Sequence, residues 1–266
     1  MYSPKEIIEN YQNNAHKKVD LSIIKLILLG VLAGLFIGFA SVCTHFTSIA
    51  TPNTGLNKLL SGMVFPGGLA MVVLMGAELF TGNCLLLIPA ISKKITFKKM
   101  LRNLGFVFIG NFIGSLLLAL FVAYSGLPKT INFEIAITIC STAQSKISMS
   151  FTEAFVKGIL CNILVCTAVW MSMGGKNSSN KIIALYFPIL FFITAGFEHI
   201  VANMYYIPAG IITNQVYDLG YTSLTWFNFI IKNLIPVTLG NVFGGFMLSV
   251  ILHICYNEKK EEQKNE

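Results

Sequence analysis

Two residues with acid–base chemistry, Glu198 and His199, sit side by side in the middle of an apolar run from Ile182 to Ile212. That run is long enough to cross a bilayer. A charged side chain at the centre of a membrane helix costs about 2.5–3.5 kcal/mol on insertion scales, so such residues face a cavity or a partner. Histidine titrates near neutrality and can give an anion in a pore either a hydrogen bond or a proton. The alternative is a structural histidine that bonds backbone carbonyls in an interrupted helix. The surrounding frame, Gly196-Phe197-Glu198-His199-Ile200-Val201-Ala202-Asn203, is written twice. Gly76-Ala77-Glu78-Leu79-Phe80-Thr81-Gly82-Asn83 repeats G-x-E-x-x-x-x-N 120 residues earlier, in another apolar run. Glycine-interrupted polar segments at matching places in two halves of a membrane protein point to a transport site.

The other polar residues of these frames invite roles of their own. Thr81 lies about one helical turn after Glu78 and can orient the imidazole; a threonine bonded to its own helix backbone is the alternative. Because Glu78 and Glu198 recur at equivalent places, they read as scaffold, capping backbone N–H groups at the helix breaks. Asn83, Asn203, Asn111 and Asn241 fit the same work. Metal binding has little support, with four scattered histidines and none at H-x-x-x-H spacing. No cofactor is expected. The six cysteines form no C-x-x-C pair and lie mostly in apolar runs, as small buried hydrophobes do.

The elements that must position these groups are membrane spans. The chain has 266 residues, 55% hydrophobic and 12% charged, against about 25% charged in soluble domains. Six spans are expected: about Leu21–Thr47, Leu59–Ala90, Met100–Tyr124, Phe151–Met173, Ile182–Ile212 and Trp226–Cys255. The second and fifth are too long for one straight helix. The second is expected to break in a non-helical loop near Phe65–Val73, with a half-helix from about Gly76. The first twenty residues form a polar arm with a weak stripe of Ile7, Ile8 and Tyr11, placed at the membrane interface or in solvent. They show no signal-peptide core. A short helix around Ile135–Cys140 is expected between spans three and four. The tail 256–266 is charged and expected to be disordered. Residues 21–255 thus form one transport domain.

Charge sets orientation. Net charge is +7, with a single arginine, Arg102, so no arginine-rich nucleic-acid surface exists. Fourteen of the nineteen Lys and Arg residues fall in the N-terminal stretch through Lys25, the tail and the loops 93–102 and 174–181. The positive-inside rule then puts both termini in the cytoplasm of a multi-pass protein of the plasma or inner membrane.

The repeat goes beyond one motif. Spans three and six share G-N-x-x-G at Gly110 and Gly240, and Gly30-x-x-x-Gly34 matches Gly158-x-x-x-Asn162. Three spans repeated after an odd number of crossings must be inverted. The expected fold is therefore all-α, two inverted three-helix repeats, about 21–125 and 150–255, with broken second and fifth helices.

The stretches GAELFTGN (76–83), GILCNILVC (158–166), GFEHIVANM (196–204) and LGNVFGG (239–245) resemble the formate/nitrite transporter family. The resemblance covers nearly the whole chain. It implies an aquaporin-like fold, a homopentamer with one pore per protomer, and passage of small monovalent weak-acid anions. Formate is the first expectation, nitrite or hydrosulfide the alternative. By motif, His199 is similar to the family's central pore histidine, Thr81 to its hydrogen-bonding threonine and Asn162 to the polar residue of the fourth span. Lys146, by itself an ordinary surface lysine, resembles the vestibule lysine that attracts anions. The resemblance implies apolar constrictions at Leu79 and Phe192, with Phe65 and Leu69. Ile200 departs from the serine of many members, and Asn-Pro-Ala is absent from both halves. A membrane enzyme using Glu198 and His199 is the rival reading. It lacks a nucleophile, metal set or cofactor motif.

Overall fold

A computed structural model of the chain describes residues 1–50 and 54–257. The expected tail 256–266 therefore lies, from residue 258 on, outside the described residues. Everything described is helix, turn or loop. Six helices are long and apolar enough to cross a membrane: Ile23–Ile49, Thr54–Met75, Phe97–Tyr124, Phe151–Met173, Ser178–Ala195 and Trp226–Tyr256.

The arm is an ordered helix, α1 (Pro4–Val19), started by a capping box between Ser3 and Glu6 with Pro4 in its first turn. Its apolar stripe packs on the rest of the chain. Ile7, Ile8, Tyr11, Ala15 and Val19 are buried against the protein. Gln12 donates to Ser92 Oγ at 2.7 Å and to Asn257 Oδ1 at 3.1 Å. The stripe that looked weak is a docking face for protein rather than lipid.

α2 (Ile23–Ala50) leads to α3 (Thr54–Val64) and α4 (Pro66–Met75). The expected loop at Phe65–Val73 is helical instead. Pro66 sits in the first turn of α4, where a missing N–H is tolerated, so it starts a helix rather than ending one. Gly68 serves close packing: a Cβ there would stand 2.8 Å from Ala40 Cβ. The interruption comes later. α4 ends at Gly76 in the left-handed region (φ 67°), residues 77–79 are non-helical, and α5 (Phe80–Asn83) follows. A 3₁₀ turn (Cys84–Leu86) and α6 (Leu87–Ile91) complete this run.

Next come α7 (Phe97–Tyr124), α8 (Glu134–Ile147), longer than expected, and α9 (Phe151–Met173). α10 (Ser178–Ala195) ends at Gly196 (φ 72°), residues 197–199 are non-helical, and α11 (Ile200–Tyr217) restarts. The last span holds α12 (Trp226–Phe229), a wide π turn (Ile230–Leu234) and α13 (Ile235–Tyr256). Pro236 has no N–H for the Lys232 carbonyl, and the helix relaxes into π geometry just before it.

Small residues weld the spans in pairs. Gly30 and Gly34 of α2 press on Gly110, Asn111 and Gly114 of α7; a Cβ on Gly34 would collide with the Asn111 carbonyl. Gly158 of α9 meets Gly240 of α13 in the same way, Gly244 presses on Ile159, and a Cβ on Gly240 would collide with the Phe155 carbonyl. Close backbone approach lets polar side chains cross from one helix to the next at this depth.

Candidate functional site: a histidine between two matched loops

Residues 77–79 and 197–199 carry the site. Each begins at a left-handed glycine and ends at a new helix, so each exposes backbone groups that need partners. An asparagine from the welded helix supplies them. Asn111 Oδ1 accepts from Phe80 N–H at 2.9 Å, while its Nδ2 donates to the carbonyls of Gly30 (2.8 Å) and Glu78 (2.9 Å). In the other half, Asn241 Oδ1 accepts from Ile200 N–H at 2.9 Å and Nδ2 donates to Gly158 (2.8 Å) and Glu198 (2.9 Å).

The glutamates do different work from that expected. Their carboxylates cap no backbone N–H in these contacts. Each binds a lysine and an asparagine. Glu78 accepts from Lys18 Nζ at 2.8 Å and Asn83 Nδ2 at 2.6 Å. Glu198 accepts from Lys146 Nζ, 3.0 Å from both oxygens, and from Asn203 Nδ2 at 2.7 Å. Asn83 and Asn203 reach on to Asn103 Oδ1 (2.8 Å) and Asn233 Oδ1 (2.9 Å). Asn103 and Asn233 then donate to the carbonyls of Lys18 and Lys146, closing both rings of bonds. Lys146 thus sits in an ion pair, with its ammonium 5.1 Å from the Tyr206 ring centre.

His199 is the last residue before α11. Its Nδ1 accepts from Ala202 N–H at 3.2 Å, so the ring proton of the neutral imidazole belongs on Nε2. Nε2 lies 2.8 Å from Thr81 Oγ1, across from the other loop. The expected partnership of these two is present, and both are buried. Asn162 is also buried; it donates to the Thr81 carbonyl at 3.3 Å and the Asn241 carbonyl at 2.6 Å, and so ties the two loops together. A proton added at Nδ1 would face the Ala202 N–H, donor against donor.

Phe65, Leu69, Leu79 and Phe192, the four apolar residues singled out, converge beside His199. With Ile37, Val165 and Ile189 they enclose a cavity of about 10 Å³, at or below the room one water needs. The Phe192 ring centre is 5.8 Å from that of His199 and 5.6 Å from that of Phe65. On the α1 side a larger cavity, about 210 Å³, opens over Lys18, Gly76, Glu78, Leu79, Asn83 and Ser172.

Sequence reasoning missed Lys18, Asn103 and Asn233. Their signal was present: Lys18 and Lys146 share the 128-residue offset of Gly30 and Gly158. Asn103 and Asn233 open the same stretch, N-L-x-x-V-x-x-G-N. Ile37, Val165 and Ile189 carry no signal, being aliphatic residues in aliphatic helices.

The family described as Formate/nitrite transporter matches residues 5–255. A formate channel FocA of Haemophilus influenzae is 41% identical over 256 residues, covering 91% of this chain and 90% of the relative. FocA of Escherichia coli K12 is 37% identical, with 85% and 84% covered. Among solved structures, a pentameric formate channel with formate bound superposes with a TM-score of 0.81 at 34% identity, covering 88% of this chain and 96% of its own. An FNT family ion channel gives 0.82 at 27%, with 94% and 97% covered. These relatives are channels, not enzymes, and Glu198 is engaged with Lys146 and Asn203, which sets the acid–base enzyme reading aside. The chain is a multi-pass membrane protein belonging to the formate/nitrite transporter family.

Proposed function

We propose that this chain is a pore for small monovalent weak-acid anions, formate first, with nitrite and hydrosulfide as the alternatives. It works as a homopentamer, as the solved formate channel does, and each protomer carries its own pore through two inverted repeats with broken helices. Both termini lie in the cytoplasm, where the basic loops belong.

One observation carries the reading: a histidine, its Nε2 2.8 Å from Thr81 Oγ1, is the polar residue lining an apolar constriction too small for a hydrated ion. Moving a bare charge through such a place costs several kcal/mol. Adding a proton to the anion removes most of that cost. His199 Nε2–H donates to Thr81 Oγ1, which leaves the threonine hydroxyl proton for the passing oxygen. The imidazole is neutral in this arrangement, so giving up Nε2–H outright would leave an imidazolate. The proton that travels with the anion is therefore taken from water at the mouth, which keeps the hydroxide, while Thr81, oriented by His199, donates a hydrogen bond to the passing acid; net transport is of the acid. The Lys146–Glu198 and Lys18–Glu78 pairs fix the loops at either end.

Proteoliposome uptake of formate, nitrite and hydrosulfide at two pH values, with lumen pH recorded, tests this. One anion should pass fastest, with lumen pH changing alongside it. His199→Phe should lower that flux by at least about tenfold, the scale of losing a transfer group. Full pH-linked flux in that variant, or current without any lumen pH change, refutes the weak-acid route.

A further inference from the structure

The two mouths differ in one cation that the loop scaffold does not use. We propose that Lys58 is the loading cation of the mouth on the α8 side, holding the incoming carboxylate-sized anion before it reaches His199. This rests on the pore reading above.

The argument starts at the two left-handed glycines. A Cβ built on Gly76 would meet nothing within 4 Å, whereas one on Gly196 would lie 3.5 Å from Lys58 Nζ. Lys58 is exposed and belongs to none of the ion pairs among the described residues. Its backbone is fixed. Thr194 Oγ1 donates to the Lys58 carbonyl at 3.5 Å, and Gly62 lets α3 settle so closely on α10 that a Cβ there would be 2.5 Å from Thr194 Oγ1. Tyr186 Oη donates to the Met63 carbonyl at 3.3 Å, a third tie between the same helices.

Lys146, the expected attractor, is already neutralised by Glu198 at the other end of the same loop, and its side chain is only 14% exposed. Lys157 stands behind that loop, its carbonyl taking the Glu198 N–H at 3.3 Å, where Leu29 takes Glu78 N–H in the other half. Glu153, the acid one turn before Lys157, is occupied by Ser150. The α8-side loop is thus flanked by Lys58, Lys146 and Lys157 against two carboxylates, Glu198 paired with Lys146 and Glu153 bonded to Ser150, and the α1-side loop by Lys18 and Glu78. An exposed ammonium with no ion-pair partner among the described residues raises the anion concentration around it. The competing account is that Lys58 only offsets the carbonyl end of α10.

The test is initial-rate formate uptake by membrane vesicles of uniform orientation, from each side in turn, with Lys58→Gln and Lys58→Arg. From the α8 side, Lys58→Gln should raise the half-saturating formate concentration about threefold, as one charge some 7 Å away in water would. Maximal rate should hold, and the dependence on ionic strength should flatten. Lys58→Arg should restore wild-type behaviour, and entry from the α1 side should not change. An unchanged half-saturation and salt dependence overturns the proposal. So does a fall in maximal rate together with melting temperature, which is what loss of a helix counter-charge gives. Broadening of the ¹³C-formate signal by purified pentamer gives a readout free of transport. If the wild type passes no anion, the pore reading fails on its own. Lys58 then stands if broadening drops in Lys58→Gln and falls if it does not.

Discussion

The loop at 76–79 and the loop at 196–199 are built from one set of hydrogen bonds and surrounded by different chemistry. In each, a left-handed glycine, a glutamate bound to lysine and asparagine, and an asparagine from the welded helix recur within a few tenths of an ångström. Around that scaffold the halves part. His199 stands where the first half has Leu79, Asn162 where it has Gly34 and Lys157 where it has Leu29. The lysine partner comes from α8 in one half and from the docked helix α1 in the other. Interrupted backbone at membrane depth must be satisfied wherever it occurs, so the scaffold is needed twice. In the pore reading proposed above, one polar station serves the passing anion, in keeping with a single histidine at the loops.

The largest effect that would break this comparison comes from the asparagines. Asn111→Leu and Asn241→Leu each orphan one buried N–H and two carbonyls, at about 1–3 kcal/mol apiece. Both should abolish recovery of folded protein from membranes, to the same degree. A clear survivor of the two would show that the loops are not equivalent in load. Next in size, the glutamates should separate. Glu198→Gln strands a lysine that is 14% exposed, Glu78→Gln one that is 34% exposed. Melting temperature should fall further for Glu198→Gln, because the more buried cation loses more when unpaired. Equal shifts would mean α1 shields its lysine in the bilayer as well as α8 does. The smallest effect concerns α1 itself. The Ser3 hydrogen bonds hold the Glu6 carboxyl below its ordinary range. A lowered value means its contribution is whole above the ordinary carboxylate range and fades as pH falls through the lowered one. Protease cleavage within α1 should therefore rise at acid pH, and Glu6→Gln should show the raised rate already at neutrality.

Much of this was legible. Span lengths, the two G-x-E-x-x-x-x-N frames and the G-N-x-x-G ladders gave six apolar helices and the meeting of His199 with Thr81. Errors arose where one residue type serves two purposes. Pro66 and Gly67 were read as breakers, yet proline in a first turn is helix-compatible, and the real stop is Gly76. Ile7, Ile8 and Tyr11 make the same stripe whether it meets lipid or protein, and the partner surface comes from residues 80 or more positions away. The ion pair of Lys146 with Glu198, 52 residues on, leaves no local trace in the sequence. Aliphatic lining was invisible by nature: only the crossing of α2, α9 and α10 makes Ile37, Val165 and Ile189 different from their neighbours.

The docking of α1 also fixes an order of events during synthesis. Residues 4–19 leave the ribosome ahead of the spans, yet Lys18 waits for Glu78 and Gln12 for Ser92 and then Asn257, 245 residues later. Contacts so distant in sequence close slowly and late. Until the last span is inserted, the helix has no finished surface to lie on and Glu78 has no cation. A helix made before the spans thus settles after them, and its seating marks a chain whose six apolar helices are all in place.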